Sequence, residues 1–204
     1  MLLYWILLPI VWVLAHILWR FEVIGRENLK TVRDGRAYVI APNHIANLDP
    51  VFIAITVFDW KRLRILAKEE LFKPAIAGAI ISNLYAFPVK RGAADRAAIK
   101  TALGILKQGL CLGVFPEGHR SKTGRMGKAE SGVALLAAMG KVPVVPTAII
   151  NTNNIFKKGS MLPQVKIIFG EPVYFQGKHN DKEALAEFAN DIMARVQSML
   201  DKNT

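Results

Sequence analysis

Three short clusters in this chain combine side chains that move protons with side chains that hold anions. The first is Asn43-His44-Ile45-Ala46-Asn47-Leu48-Asp49. Histidine is the natural general base near neutral pH, and a carboxylate on one ring nitrogen fixes its tautomer and steadies the imidazolium as it forms. Within a continuous helix, residues five apart stand about 140° from each other at about 100° per residue. Pairing of His44 with Asp49 therefore requires that the segment fold back as a turn. A plainer reading has Asp49 capping the following helix and His44 as an ordinary turn residue.

The second cluster is Phe87-Pro88-Val89-Lys90-Arg91-Gly92, and the third is Phe115-Pro116-Glu117-Gly118-His119-Arg120-Ser121. An arginine fork suits a phosphate dianion, and Gly92 and Gly118 let backbone approach a ligand closely. The same basic turn residues also suit a solvated surface. Neither serine nor cysteine stands in a nucleophile elbow, and Cys111 falls inside an apolar run as a small core residue.

The elements that must carry these clusters alternate. RFEVIG and AYVIAP have strand patterning, and DPVFIAITVFDW a helical one, with Asp49 at the N-cap and Pro50 at the first helical position. RLRILAKEEL predicts a strand, KPAIAGAIISNL an apolar helix and YAFPVKRG a short strand. AADRAAIKTALGILKQG predicts a helix ending at Gly109, and CLGVFPEG a buried strand running into a turn. GKAESGVALLAAMG predicts a helix, VPVVPTAII a strand, and QVKIIFGEPVYF a late strand or hairpin. NDKEALAEFANDIMARVQSML is helical, with Leu185, Phe188, Ile192, Val196 and Met199 on one face. The run 151–163 is a loop. This alternation implies an α/β fold, a mixed and largely parallel sheet flanked by helices. In such sheets, polar residues just beyond the carboxyl ends of strands build the site. All three clusters lie there.

Residues 1–19 contain no Asp, Glu, Lys or Arg. As a helix they would be about 28 Å long, against a bilayer core of about 30 Å. Trp5, Trp12 and Trp19 are seven apart, with Pro9 and His16 on the same stripe. Tryptophan prefers the headgroup level, so the stripe suits a helix lying in or tilted through the membrane interface, with Leu2, Ile6, Leu7, Ile10, Val13, Leu14 and Ile17 facing acyl chains. A true span and a helix packed on a partner are the other two readings. Arg20, Arg26, Lys30, Arg33 and Arg36 follow and favour the cytoplasmic face. The division is thus an anchor over 1–19 and a catalytic domain over 20–204.

A hydrophobic share of 52% excludes a disordered chain, and a net charge of +11 favours anionic partners. A single cysteine excludes an internal disulfide, and four dispersed histidines spell out no metal site. The apolar N-terminus and the lack of an aromatic-basic reading surface count against nucleic acid. Lys61, Arg62, Arg64, Lys68 and Lys73 form a basic patch, either for anionic headgroups or acyl carrier protein, or simply a solvated face.

The order NHxxxxD, FPVKRG, FPEGHRS, VPVVPTAI resembles the glycerolipid acyltransferase family, most closely its bacterial 1-acyl-sn-glycerol-3-phosphate acyltransferase branch. The resemblance runs from about Phe21 to Ile150. It implies transfer of a fatty acyl group from a thioester, on acyl carrier protein or coenzyme A, to the sn-2 hydroxyl of lysophosphatidic acid, with no cofactor and no metal. By position His44 is similar to the family's general base and Asp49 to its orienting partner. Lys68, Arg91, Glu117, Gly118 and Arg120 match residues that hold the phosphorylated acceptor, and Pro146 would shape the site wall. His119 departs from the usual threonine. The residue chemistry agrees: direct attack by an alcohol needs a neutral-range base and oxyanion donors, which amides of a turn after a strand could supply. The helix KPAIAGAIISNL suits either an acyl groove or a core. Glycerol 3-phosphate or another lysolipid as acceptor, and a non-catalytic binder of anionic lipid, are the competing functions.

Overall fold

The computed structural model describes residues 2–33, 36–57, 63–83, 85–89, 96–121, 123–155, 157 and 163–203; the side chains of 2–5, 33, 77, 80 and 83 lie outside that description. The helices are α1 Leu2–Trp19, α2 Arg26–Arg33, α3 Asp49–Thr56, α4 Ala75–Asn83, α5 Arg96–Lys107, α6 Gly132–Gly140 and α7 Lys182–Asp201. The strands are β1 Glu22–Ile24, β2 Tyr38–Pro42, β3 Arg64–Lys68, β4 Ala86–Val89, β5 Cys111–Gly113, β6 Val144–Ile150 and β7 Lys166–Phe169. They form one seven-stranded sheet in the order β1-β7-β6-β2-β5-β3-β4. β6, β2, β5, β3 and β4 run parallel; β7 is antiparallel to β6, and β1 is parallel to β7.

Every residue of β2, β5 and β6 is buried, as central strands covered on both faces must be. One face packs Leu8 and Ala15 of α1, Leu29 and Val32 of α2 and Phe52, Ile53 and Ile55 of α3 against Tyr38, Ile40, Ile149 and Ile167. The other packs Ala102 and Ile105 of α5, Val133 and Leu136 of α6 and Leu185 and Ile192 of α7 against Val39, Ala41, Leu112 and Val144. Since β6, β2, β5, β3 and β4 are parallel neighbours, the segments that follow them emerge along a single sheet edge, spaced by about 4.8 Å per strand. That edge receives, in order, residues 151–154, the His44 turn, the Phe115–Arg120 turn and Lys68.

Several elements differ from sequence expectation. α2 has only Leu29 and Val32 as buried apolar anchors, too few to give a periodic signal. β5 spans only Cys111–Gly113; the Val114 amide still donates to Ile40 O at 2.9 Å, and the chain then turns at Pro116. α6 begins at Gly132 rather than Gly127, since the amides of Gly127 and Glu130 donate to Glu117 Oε2 and Pro116 O. After β7 the chain does not form a hairpin; it bends, and Val173 exchanges two backbone hydrogen bonds of 2.8 Å with Val144. The end of the expected helix at 58–60 lies outside the described residues.

α1 lies against α3, and of the tryptophans with described side chains, Trp12 and Trp19, only Trp12 is exposed. Trp19 meets Phe52 edge-on at 5.9 Å, while Trp12 sits 4.0 Å from the His16 ring, whose Nδ1 is 2.8 Å from Trp12 O. The outward face carries Ile6, Ile10, Val13, Leu14 and Ile17, all exposed. Leu7, expected on that face, is only partly exposed. Among the described residues no helix is long and apolar enough to cross a membrane.

Candidate active site

The turn after β2 does fold back. Asp49 stands at the first residue of α3, with Leu48 as the N-cap, and no side chain caps the helix. Its carboxylate points back into the turn instead of along the helix axis. Oδ2 accepts the backbone amides of Ile45 at 2.7 Å and Ala46 at 2.8 Å, and lies 2.7 Å from His44 Nδ1. Sequence expectation had Asp49 as the cap; instead its Oδ2 is committed to the two turn amides. The carboxylate is 0% exposed. Since a carboxylate only accepts, Nδ1 carries the proton, and Nε2 is the nitrogen available to a substrate.

His44 is held on three further sides. Its ring stacks on Phe115, with centroids 4.0 Å apart and planes 26° from parallel. Its amide donates to Glu117 Oε1 at 2.9 Å, and its carbonyl accepts the Ser121 amide at 2.8 Å. One residue earlier, Asn43 pairs through both amide atoms with the backbone of Ile149, at 3.0 and 2.7 Å, fastening the end of β2 to β6.

Glu117 is 1% exposed, and its second oxygen accepts the Gly127 amide at 2.7 Å. Its carboxylate thus ties the His44 turn to the 123–130 segment. Gly118 has φ +67°, a conformation that L side chains rarely adopt. Expected oxyanion donors are rearranged. The amides of His44, Ile45 and Ala46 serve Glu117 and Asp49, and that of Gly118 serves Phe115 O. Those four are not free to receive a developing negative charge.

His44 and Gly118 line a cavity of about 390 Å³. Its walls are otherwise mostly apolar: Leu8 from α1, Val51 and Ala54 from α3, Ile65 from β3, Leu71, Ile81 from α4 and Val114. Lys68 is also at its wall, two strands from His44 across the sheet. Lys68 Nζ is 3.4 Å from Glu70 Oε1 in a half-exposed pair. A backbone hydrogen bond, and then the neighbouring Lys68, hold the Glu70 carboxyl below the usual carboxylate range. Such an exposed pair contributes little to stability. The cavity therefore joins an imidazole, a cation and a mostly apolar wall.

The chain matches the family model "Acyltransferase" over residues 20–150. The chain belongs to the acyltransferase family. Among relatives of this acyltransferase, the 1-acyl-sn-glycerol-3-phosphate acyltransferase of Bacillus subtilis is 31% identical over 89% of this chain and 88% of its own length. The enzyme of that name from Streptococcus pneumoniae is 33% identical over 82% of this chain and 61% of its own. The crystal structure of the 1-acyl-sn-glycerophosphate acyltransferase from Thermotoga maritima superposes with a TM-score of 0.69 at 26% identity, covering 90% of this chain and 73% of that one.

Of the residues singled out in this acyltransferase by sequence, His44, Asp49, Lys68, Glu117 and Gly118 come together around the cavity and its floor. Arg120 and His119 follow on the same turn and are exposed. Arg91 lies outside the described residues, as do Lys61 and Arg62. Arg64 is not a freely solvated member of the basic patch: its guanidinium sits 4.0 Å above the Tyr85 ring. Thr152 had no sequence signal. It follows the buried strand β6 in an Asn-rich loop, and its hydroxyl reaches Asp49 from 103 residues away.

Proposed function

We propose that this acyltransferase transfers a fatty acyl group from an acyl thioester to the sn-2 hydroxyl of lysophosphatidic acid, forming phosphatidic acid. One observation carries the reading: His44, held at Nδ1 by buried Asp49, opens onto an apolar cavity that also holds Lys68. The acyl chain fills the apolar wall, and the phosphate of the acceptor meets Lys68 with Arg120 and Arg91.

His44 Nε2 removes the proton from the acceptor hydroxyl as its oxygen bonds to the thioester carbonyl carbon. The carbon–sulfur bond of the tetrahedral intermediate then breaks. The departing thiolate takes from the imidazolium the proton that the hydroxyl gave up. Asp49 stays ionised and steadies that imidazolium through Nδ1. The donor is an acyl carrier protein or coenzyme A thioester, and no cofactor or metal enters. α1 holds the protein on the cytoplasmic face of the membrane, with Ile6, Ile10, Val13 and Ile17 toward the lipid and residues 20–204 as the catalytic unit.

The test is acyl transfer by the purified protein in detergent, wild type beside His44→Ala. Both donors would be offered, with lysophosphatidic acid and glycerol 3-phosphate as acceptors. Phosphatidic acid formed by wild type and reduced by at least about 10²-fold in the variant is the expected outcome. Transfer to glycerol 3-phosphate alone would keep the chemistry and change the acceptor. Anionic-vesicle binding with no transfer from any pair would replace the enzyme reading with a lipid binder.

A further inference from the structure

We propose that Thr152 is a positioning residue for this reaction, acting through Asp49. The inference rests on the acyl-transfer reading given above. Thr152 opens the short 3-10 turn Thr152–Asn154 directly after β6 and is 3% exposed. Its Oγ1 donates to Asp49 Oδ1 at 2.5 Å. The other oxygen, Oδ2, takes the two turn amides and faces His44 Nδ1.

The two oxygens of Asp49 thus have separate duties. Oδ2 orients the base and closes the turn. Oδ1 is fixed from another part of the chain. A carboxylate held only through one oxygen can still rotate about its Cβ–Cγ bond, which would swing Oδ2 out of line with the imidazole. Pinning Oδ1 stops that rotation. It also satisfies an oxygen that burial removes from water. The hydroxyl must be the donor, since the carboxylate offers no proton.

The backbone around Thr152 is arranged for this contact. Asn151 has φ 66°, a left-handed conformation that turns the chain at the end of β6. Its Nδ2 donates to Gln164 O at 2.9 Å, and its Oδ1 accepts from Asn154 at 3.2 Å. β6 is the direct neighbour of β2, with Pro42 opposite Thr147. Continuing both strands past that register brings the 151–154 turn beside the 44–49 turn. The last strand to enter the parallel set thereby supports the base delivered by the first.

The test compares kcat and KM of wild type, Thr152→Ser, Thr152→Val, Asp49→Asn and Asp49→Asn/Thr152→Val, with His44→Ala as the reference for loss of the base. Thr152→Val is expected to lower kcat about 10-fold or more while both KM values stay within about 2-fold. Thr152→Ser, which keeps the donor, should return to near the wild-type rate. In the Asp49→Asn background, Thr152→Val should add little, because the group it orients is no longer a carboxylate. The downfield Nδ1 proton of His44, read by NMR, should shift or broaden in Thr152→Val and remain in Thr152→Ser.

Wild-type kcat in Thr152→Val would overturn the proposal. So would equal loss in Thr152→Ser and Thr152→Val, which assigns packing instead, or losses that multiply with Asp49→Asn. If Thr152→Val does not fold, Thr152→Cys, a small side chain with a weak donor, takes its place. Full activity in His44→Ala would refute the base reading itself, a result separable from any behaviour of Thr152.

Discussion

The His44 amide donates to Glu117 Oε1 at 2.9 Å, although the two residues are 73 apart in the chain and lie on turns after different strands. Buried Glu117 spends its other oxygen on the Gly127 amide. One carboxylate thus fixes the backbone on which the candidate base is mounted.

Glu117→Gln is expected to destabilise the fold. The amide nitrogen would face one of two backbone N–H groups, donor against donor. A loss of about 1–3 kcal/mol in a chain of this length corresponds to a fall of about 2–4 °C in Tm per kcal/mol. Thermal melting by circular dichroism reads it. An unchanged Tm would mean that Glu117 is not the clamp described.

Asp49→Asn should lower kcat by at least about 10²-fold and also cost stability, since an amide nitrogen at the Oδ2 position supports the wrong imidazole tautomer and faces the Ile45 and Ala46 amides donor against donor. KM for the acceptor should move much less. Steady-state kinetics on the purified variant decide this, and a loss confined to KM would place Asp49 in binding instead.

Lys68→Met is expected to raise KM for a phosphorylated acceptor about 10-fold, the scale of one charge-assisted hydrogen bond, with a smaller change in kcat. Its pair with Glu70 is exposed on both sides, so folding should be unaffected. Equal effects on acceptors with and without phosphate would assign Lys68 another role.

Ala54→Phe places a ring inside the 390 Å³ apolar cavity. The preferred acyl donor should become shorter. A series of acyl thioesters of increasing length measures the profile, and an unshifted optimum would move the acyl chain elsewhere.

Ile10→Glu with Ile17→Glu charges the outward face of α1, where both side chains are exposed. Vesicle co-sedimentation should weaken by at least about 10-fold, given about 1.5–3 kcal/mol for each large apolar side chain withdrawn from lipid. Because both side chains are half or more exposed, the Tm in detergent should change little. Unaltered sedimentation would remove α1 from membrane binding.

Much of this protein could be read from its residues in order. The alternation of apolar runs with helical stripes is local, so it declared the α/β class and most strands. The four blocks that carry the family resemblance are also contiguous in sequence, and the family model spans the same stretch. His44 and Asp49 lie within one short turn, so their pairing could be posed as a question of whether that turn folds back. Local pattern misjudged α2, where two buried side chains, Leu29 and Val32, left too little periodicity. It also misjudged the start of α6, because the amides of Gly127 and Glu130 found partners on the turn after β5.

What tertiary structure alone decided is which groups the long-range hydrogen bonds consume. Sequence left the turn amides as oxyanion donors and Glu117 as a ligand for the acceptor. Strand order brought Glu117 under the His44 amide and Thr152 against Asp49, across 73 and 103 residues. A buried donor or acceptor takes whatever partner the fold sets beside it, since leaving it unpaired costs more than the bond gains. Residue types near a strand end therefore announce the chemistry, while the neighbours supplied by sheet topology decide which side chain meets substrate and which supports it.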